Sequence, residues 1–226
     1  MNISKISRKL RQLYQEKIIK NKYTSHVKKI KTHMTTQELD TLYKLARECG
    51  ENANILEIGS YVGASSCYIA AGLIEKGGSL FCVDTWENQT MLEGEYDTMK
   101  EFLENTRILS QYIIPIRKNS QNLAVSDINN PLNFAFIDGN HSYAGVNHDY
   151  CMVAPWIIEG GILAFHDCIH FEGVSRTIGE ALASGKWQFS GHVDNLMWFR
   201  KIERKQLNFA HPEVESIDNH MTLSVI

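Results

Sequence analysis

The sequence lacks the patterns that would cross-link the chain or place it in a membrane. Its five cysteines, Cys49, Cys67, Cys82, Cys151 and Cys168, form an odd, scattered set with no C-x-x-C pair. That argues against a secreted disulfide framework and a structural zinc site, and points to a reducing cytoplasm. No apolar run approaches the ~20 residues of a membrane helix. The longest candidate, Cys151 to Phe165, is interrupted by Glu159, Gly160 and Gly161. The start of the chain is positively charged but has no continuous apolar stretch, so it does not read as a secretory signal. The G-x-G-x-x-G fingerprint of a dinucleotide site is also missing.

What remains is an ordinary globular composition, 226 residues with 43% hydrophobic and 22% charged content, which suits one main domain with a core that needs no staples. The net charge of −3 hides an asymmetry: residues 1–31 hold ten Lys and Arg against the single acid Glu16, leaving thirteen bases against twenty-five acids in the rest. Ile3, Ile6, Leu10, Leu13, Tyr14 and Ile18 recur in that basic stretch at helical spacing, predicting an amphipathic accessory helix. Its stripe docks on its own domain or on a second subunit, as in a homodimer; the alternative is an anionic partner such as a membrane surface or polyphosphate. Nucleic acid is not expected, because the acidic body would repel it and no reading motif follows.

From Asn54 onward, short apolar runs (NILEI, SLFCVD, YIIPI, NFAFID, GILAFHD) alternate with helical patterns, among them an Ala-rich helix from Ala64 and others near Glu95–Leu109, Tyr143–Trp156 and Val174–Ala183. Strands separated by helices imply parallel crossovers, and near-continuous apolar strands imply burial on both faces, so the fold class is a doubly wound α/β sheet. The closing runs WQFS and VDNLMWFRK lie too close together for a crossover helix and should pair antiparallel at one edge. The expected organisation is an N-terminal segment over 1–48, a ligand-binding domain over 49–204 and a tail over 205–226.

In such sheets ligands sit beyond the carboxyl ends of the strands. The first strand ends in Glu57-Ile58-Gly59-Ser60-Tyr61-Val62-Gly63, an E-x-G-x-x-x-G turn whose glycines let a ligand approach the backbone and the free N–H groups of the next helix. A carboxylate there disfavours pyrophosphate and suits a cation such as the sulfonium and ammonium end of S-adenosylmethionine. The second strand ends in Asp84, placed to accept both ribose hydroxyls, with Trp86 beside it either covering an adenine face or simply packing. After the third strand, Ser120, followed by Gln121, is a helix N-cap or an adenine contact, or both.

With these residues in hand the chain resembles the class I S-adenosylmethionine-dependent methyltransferases, especially the small O-methyltransferases. ILEIGSYVGASS is similar to the cofactor turn of catechol O-methyltransferase. FAFIDGNHSYAGV and GGILAFHDC are similar to bacterial sugar and natural-product O-methyltransferases, including the macrocin type and the cephalosporin-hydroxylase group. The resemblance covers about residues 50–200 and implies a Rossmann-like, seven-stranded sheet with its last strand inserted antiparallel. It also implies that Glu57, Gly59, Ser60 and Gly63 hold the methionine end, Asp84 the ribose, and Ser120 with Gln121 the adenine.

The fourth strand delivers Asp138 and the fifth His166 and Asp167, so an acid and a His-Asp pair converge on one rim. Three such donors can hold a divalent metal with positions open for substrate oxygens. Related metal-dependent enzymes place ligands at Asp138 and Asp167; His166 departs from their pattern and shifts preference from magnesium towards manganese, iron or zinc. The alternative is that Asp138 contacts the cofactor while His166 and Asp167 cap a strand and position substrate. His141, three residues after Asp138, stands where the catechol-type enzymes carry a lysine base, and imidazole can accept a hydroxyl proton near neutrality. The expected function is thus O-methylation of a small hydroxylated molecule, a sugar or glycosylated metabolite. The other readings are a nucleotide-dependent oxidoreductase on the same sheet and a non-catalytic S-adenosylmethionine-binding interaction domain.

Overall fold

A computed structural model describes residues 21–23, 25–88, 94–128 and 131–202. The basic stripe of residues 3–18 and the tail after Ile202 lie outside them. In chain order the elements are α1 (Thr36–Glu48), β1 (Ala53–Ile58), α2 (Ala64–Leu73), β2 (Gly78–Asp84), α3 (Met99–Thr106), β3 (Ile113–Arg117), β4 (Leu132–Ile137), α4 (Tyr143–Val153), β5 (Ile157–Phe165), α5 (Glu172–Ala183), β6 (Trp187–Val193) and β7 (Leu196–Lys201). They form one seven-stranded sheet in the order β3-β2-β1-β4-β5-β7-β6. Strands β1 to β5 are parallel, while β7 pairs antiparallel with both β5 and β6. The closing hairpin is therefore present, with its second strand inserted next to β5.

Alternation along the strands divides the core between the two faces. Ile55, Leu80, Phe134, Phe136 and Ile162 meet α1, α2 and α3 on one side. Leu56, Phe81, Ala135, Leu163 and Phe165 meet α4 and α5 on the other. Helix α2 is buried along its whole length, as its unbroken run of small and apolar residues requires. Pro115 has no N–H to give a ladder, and it sits on the edge strand β3, where that loss is tolerated.

Helix α1 starts at a capping box: the Thr35 hydroxyl accepts the Glu38 N–H at 3.2 Å, and the Glu38 carboxylate accepts the Thr35 N–H at 2.7 Å. Its Leu39, Leu42, Tyr43 and Ala46 recur at helical spacing and join the same core as α2, so the packed body begins upstream of residue 49. Among the described residues no helix is long and apolar enough to cross a membrane.

Candidate active site

Strand order reverses between β1 and β4, because β1 runs on to β2 and β3 on one side while β4 and β5 lie on the other. Loops leaving the carboxyl ends of these strands diverge there and open a crevice. Gly59, with φ of +87°, makes the first turn, and a Cβ at this position would stand 2.0 Å from the Asp138 carbonyl oxygen. Only glycine lets the β1 and β4 ends close together, which sets this turn directly beside Asp138. Gly63 then caps α2 in the left-handed region without a side-chain bond, so the first N–H groups of α2 have no side-chain cap.

Two acids hold this turn. Glu57 is fully buried and accepts hydroxyls from Ser60 at 2.8 Å, Ser65 at 2.6 Å and Ser66, and the Cys82 thiol at 3.3 Å. Burial pushes the Glu57 carboxyl above its ordinary value despite these donors. All of its bonding capacity is thus directed inwards, and a direct grip on a cation would require the serine hydroxyls to turn away. Asp84 accepts the backbone N–H groups of Ser60, Tyr61 and Trp86, each at 2.8 Å. A carboxylate offers about four lone-pair sites, so this leaves Asp84 capacity for a ribose hydroxyl.

Trp86 is fully buried, its indole donating to the Tyr61 carbonyl at 2.8 Å and its ring lying 4.8 Å from Phe102. The packing alternative is the one realised; in this conformation no face of the ring is open to an adenine. Ser120 begins a single 3₁₀ turn, but the cap is Asn119, whose side chain accepts the Gln121 N–H at 2.9 Å. That corrects the capping role read for Ser120. Gln121 is exposed.

The chemistry-bearing cluster lies at the ends of β4 and β5. Asp167 adopts a left-handed φ of 56°, a conformation that Asp tolerates better than most residues. The Asp138 Oδ1 and Asp167 Oδ2 atoms are flanked by two imidazoles. His166 Nδ1 approaches from the interior at 3.4 and 3.5 Å, and His141 Nε2 from the open side at 3.6 and 3.2 Å. Their side chains differ in exposure, 3% for His166 and 28% for His141. None of these ring nitrogens makes a well-aligned hydrogen bond; each faces carboxylate oxygens at ion-pair distance. Among the described residues the group whose ligand atoms all lie within 4.8 Å of one another is Asp138, His141 and Asp167. His166, expected in that set, faces the same two oxygens from behind.

Burial disfavours charge at His166, but the carboxylates of Asp138, Asp167 and Glu38 outweigh it and push the imidazole up to about 12. Burial likewise opposes charge at Asp138, yet His166 and His141 hold its carboxyl below the usual range. The centre therefore carries clustered negative charge neutralised by an imidazolium, an arrangement that also suits a divalent cation. Reading the sequence missed two neighbours. Glu38 faces His166 Nε2 at 3.3 Å, its only advance signal being the T-x-x-E capping pattern. Phe171 stacks on His141 with ring centroids 4.4 Å apart and, with Ile169, leaves an apolar lip 42% and 63% exposed beside the cluster.

Residues 56–168 match the family model described as a methyltransferase domain. The fold is shared with the O-methyltransferase NovP at 10% identity over 76% of this chain and 82% of that one, with a TM-score of 0.67. An O-methyltransferase from Bacillus cereus in complex with SAH aligns at 16% identity over 82% and 90%, TM-score 0.59. TomG from Streptomyces achromogenes, solved with SAM and involved in tomaymycin synthesis, aligns at 12% over 82% and 89%, TM-score 0.56. The turn, the acid after β2 and the inserted antiparallel strand thus sit in a fold that these relatives share, and the oxidoreductase reading falls away. The chain belongs to the methyltransferase-domain family.

Proposed function

We propose that the protein is an O-methyltransferase acting on a hydroxyl of a small molecule, a sugar or glycosylated metabolite, with a divalent cation at its centre. The observation that carries this reading is the convergence of Asp138, Asp167, His141 and His166 directly beside the Gly59 turn. The likeness of FAFIDGNHSYAGV and GGILAFHDC to sugar and natural-product O-methyltransferases supports the acceptor class. The apolar lip of Ile169 and Phe171 suits the non-sugar part of such a molecule.

The sulfonium is already activated, so the chain's task is alignment: acceptor oxygen, methyl carbon and sulfur in line at near-attack distance. Asp84 would hold the ribose, and the Gly59–Gly63 turn with the α2 N-terminus would hold the methionine end. Ser120 and Gln121 would meet the adenine. His141, the open-side imidazole, would accept the hydroxyl proton at Nε2 while Phe171 supports its ring. The donor set of two carboxylates and a histidine fits a divalent cation such as manganese or magnesium, which would be held by Asp138 and Asp167 with the inner His166, whose Nδ1 proton the ion's charge would displace. When bound, such a cation lowers the pKa of an acceptor hydroxyl and fixes its position. With one imidazole on each side of the two carboxylates, the inner ring would serve the ion and the outer one the proton.

The test is a methyl-transfer assay across hydroxylated small molecules, glycosides included, with and without chelator. Turnover should fall in chelator and be restored by manganese at least as well as by magnesium. His141→Ala and Asp138→Asn should each abolish turnover without loss of the folded state. Full activity in excess chelator would remove the ion, and an active His141→Ala would remove the base.

A further inference from the structure

We propose that Glu38, on the first helix of the described body, is a positioning residue for the centre, setting the His166 ring so that Nδ1 meets Asp138 and Asp167. The inference rests on the reading of that cluster as the catalytic centre. Glu38 lies outside the 56–168 segment that matches the family model. No role beyond the helix cap is implied by its place in the sequence.

A capping-box glutamate normally sits at the helix surface with one oxygen on the N-cap amide and the other in water. Here the side chain is 1% exposed and both oxygens are committed. Oε2 takes the Thr35 N–H at 2.7 Å. Oε1 takes the Asn195 N–H at 2.7 Å and faces His166 Nε2 at 3.3 Å. Burying a carboxylate that a cap could leave in solvent is costly unless it is partnered, and beside the two backbone amides the partner is the His166 ring, itself 3% exposed. The far nitrogen of the same ring then faces Asp138 Oδ1 and Asp167 Oδ2 at 3.4 and 3.5 Å. Glu38 thus stands at the outer nitrogen of a ring whose inner nitrogen faces the centre, the place from which a carboxylate orients a ligating histidine.

The backbone around the clasp fixes its geometry. Asn195 lies in the β6–β7 turn, and its carbonyl accepts the N–H of Cys168, the residue after Asp167. The Thr35 hydroxyl donates to Asp194 at 2.7 Å in the same turn. The start of α1, the β6–β7 turn and the end of β5 are therefore tied at one point, and Glu38 is the side chain that reaches from that point into the centre.

The experiment compares the full chain with Glu38→Gln and Thr35→Ala. Both substitutions disturb the α1 cap, but only the first removes the charge facing His166. Imidazole nitrogen resonances assigned to His166 by NMR, and Mn2+ binding followed by electron paramagnetic resonance, are read for each. Glu38→Gln should shift both His166 nitrogens and weaken Mn2+ by about 10-fold or more; Thr35→Ala, which loses the cap and the Asp194 bond but keeps the carboxylate, should move both readouts clearly less. Unchanged His166 resonances in Glu38→Gln, or equal effects of the two substitutions, would overturn the inference and reduce Glu38 to a cap. If the unmodified chain binds no Mn2+ but His166 still responds to Glu38→Gln, the ion reading fails and the positioning role stands. Should Glu38→Gln not fold, Glu38→Asp keeps the charge, shortens the reach by one methylene and is read by the same two criteria.

Discussion

Replacing Gly59 with alanine isolates the contact that brings the Gly59–Gly63 turn to the end of β4. An added Cβ would stand 2.0 Å from the Asp138 carbonyl oxygen and 2.5 Å from its carbon, where real contacts are not found below 3.0 Å. The β1 and β4 ends must therefore separate by at least about 1 Å, a displacement that alone can cost about 100-fold in the rate of an aligned reaction. One hydrogen bond crosses this junction, from the Asp138 N–H to the Ile58 carbonyl at 2.8 Å. Losing it costs about 1 kcal/mol. The left-handed φ adds roughly 1–2 kcal/mol for any non-glycine residue, and overpacking a further ~1–3 kcal/mol. The sum, about 3–6 kcal/mol, is comparable with the whole stability of many domains. Gly50 supplies the control: its φ is +92° but a Cβ there meets nothing within 4 Å, so Gly50→Ala carries the dihedral cost alone. Denaturant unfolding of both variants should place Gly59→Ala at least ~2 kcal/mol below Gly50→Ala. Calorimetry should then show loss of S-adenosylmethionine binding in Gly59→Ala and not in Gly50→Ala. Equal stability and equal binding in the two would refute the close approach of the strand ends.

The remaining predictions concern the buried charges. His166 has its pKa raised from 6.5 to about 12, so its contribution to stability is complete below pH 6.5 and declines as pH rises towards 12. The stability gap between the unmodified chain and His166→Asn, followed by thermal melting, should narrow across that window; a gap independent of pH would contradict the imidazolium. Glu57→Gln puts an amide donor among three hydroxyl donors and a thiol, and should cost about 1–3 kcal/mol in denaturant unfolding while weakening S-adenosylmethionine. A variant as stable as the parent would mean that those hydroxyls are held by something else.

Much of the architecture was legible because each element carried its own local signal. Apolar five- to seven-residue runs with helical patterns between them define a parallel sheet, and the short WQFS to VDNLMWFRK spacing forces an antiparallel pair. The strand-end acids followed from topology alone, since any residue closing a parallel strand at the switch point faces the crevice. Glu38 escaped because burial is a long-range property: a T-x-x-E pattern specifies a cap and says nothing about the Asn195 turn and His166 closing over it. Trp86 and Ser120 show the reverse limit. The position of Trp86 suited an adenine face, but a ring with Phe102 4.8 Å away buries itself, and Ser120 suited a cap, but Asn119 is one residue better placed to make it. The ordering of His166 behind His141 was equally hidden, because residues 138, 141, 166 and 167 fix only which strand ends meet, not which imidazole faces solvent.

Calorimetric titration of the full chain with S-adenosylmethionine, beside Asp84→Asn and with NADH as the competing nucleotide, addresses the central claim most directly. Micromolar, one-to-one binding of S-adenosylmethionine is expected, sharply weakened in Asp84→Asn and absent for NADH. No heat of binding with S-adenosylmethionine at millimolar concentration, or equal affinity in Asp84→Asn, would contradict a sulfonium nucleoside held across the ends of β1, β2 and β4.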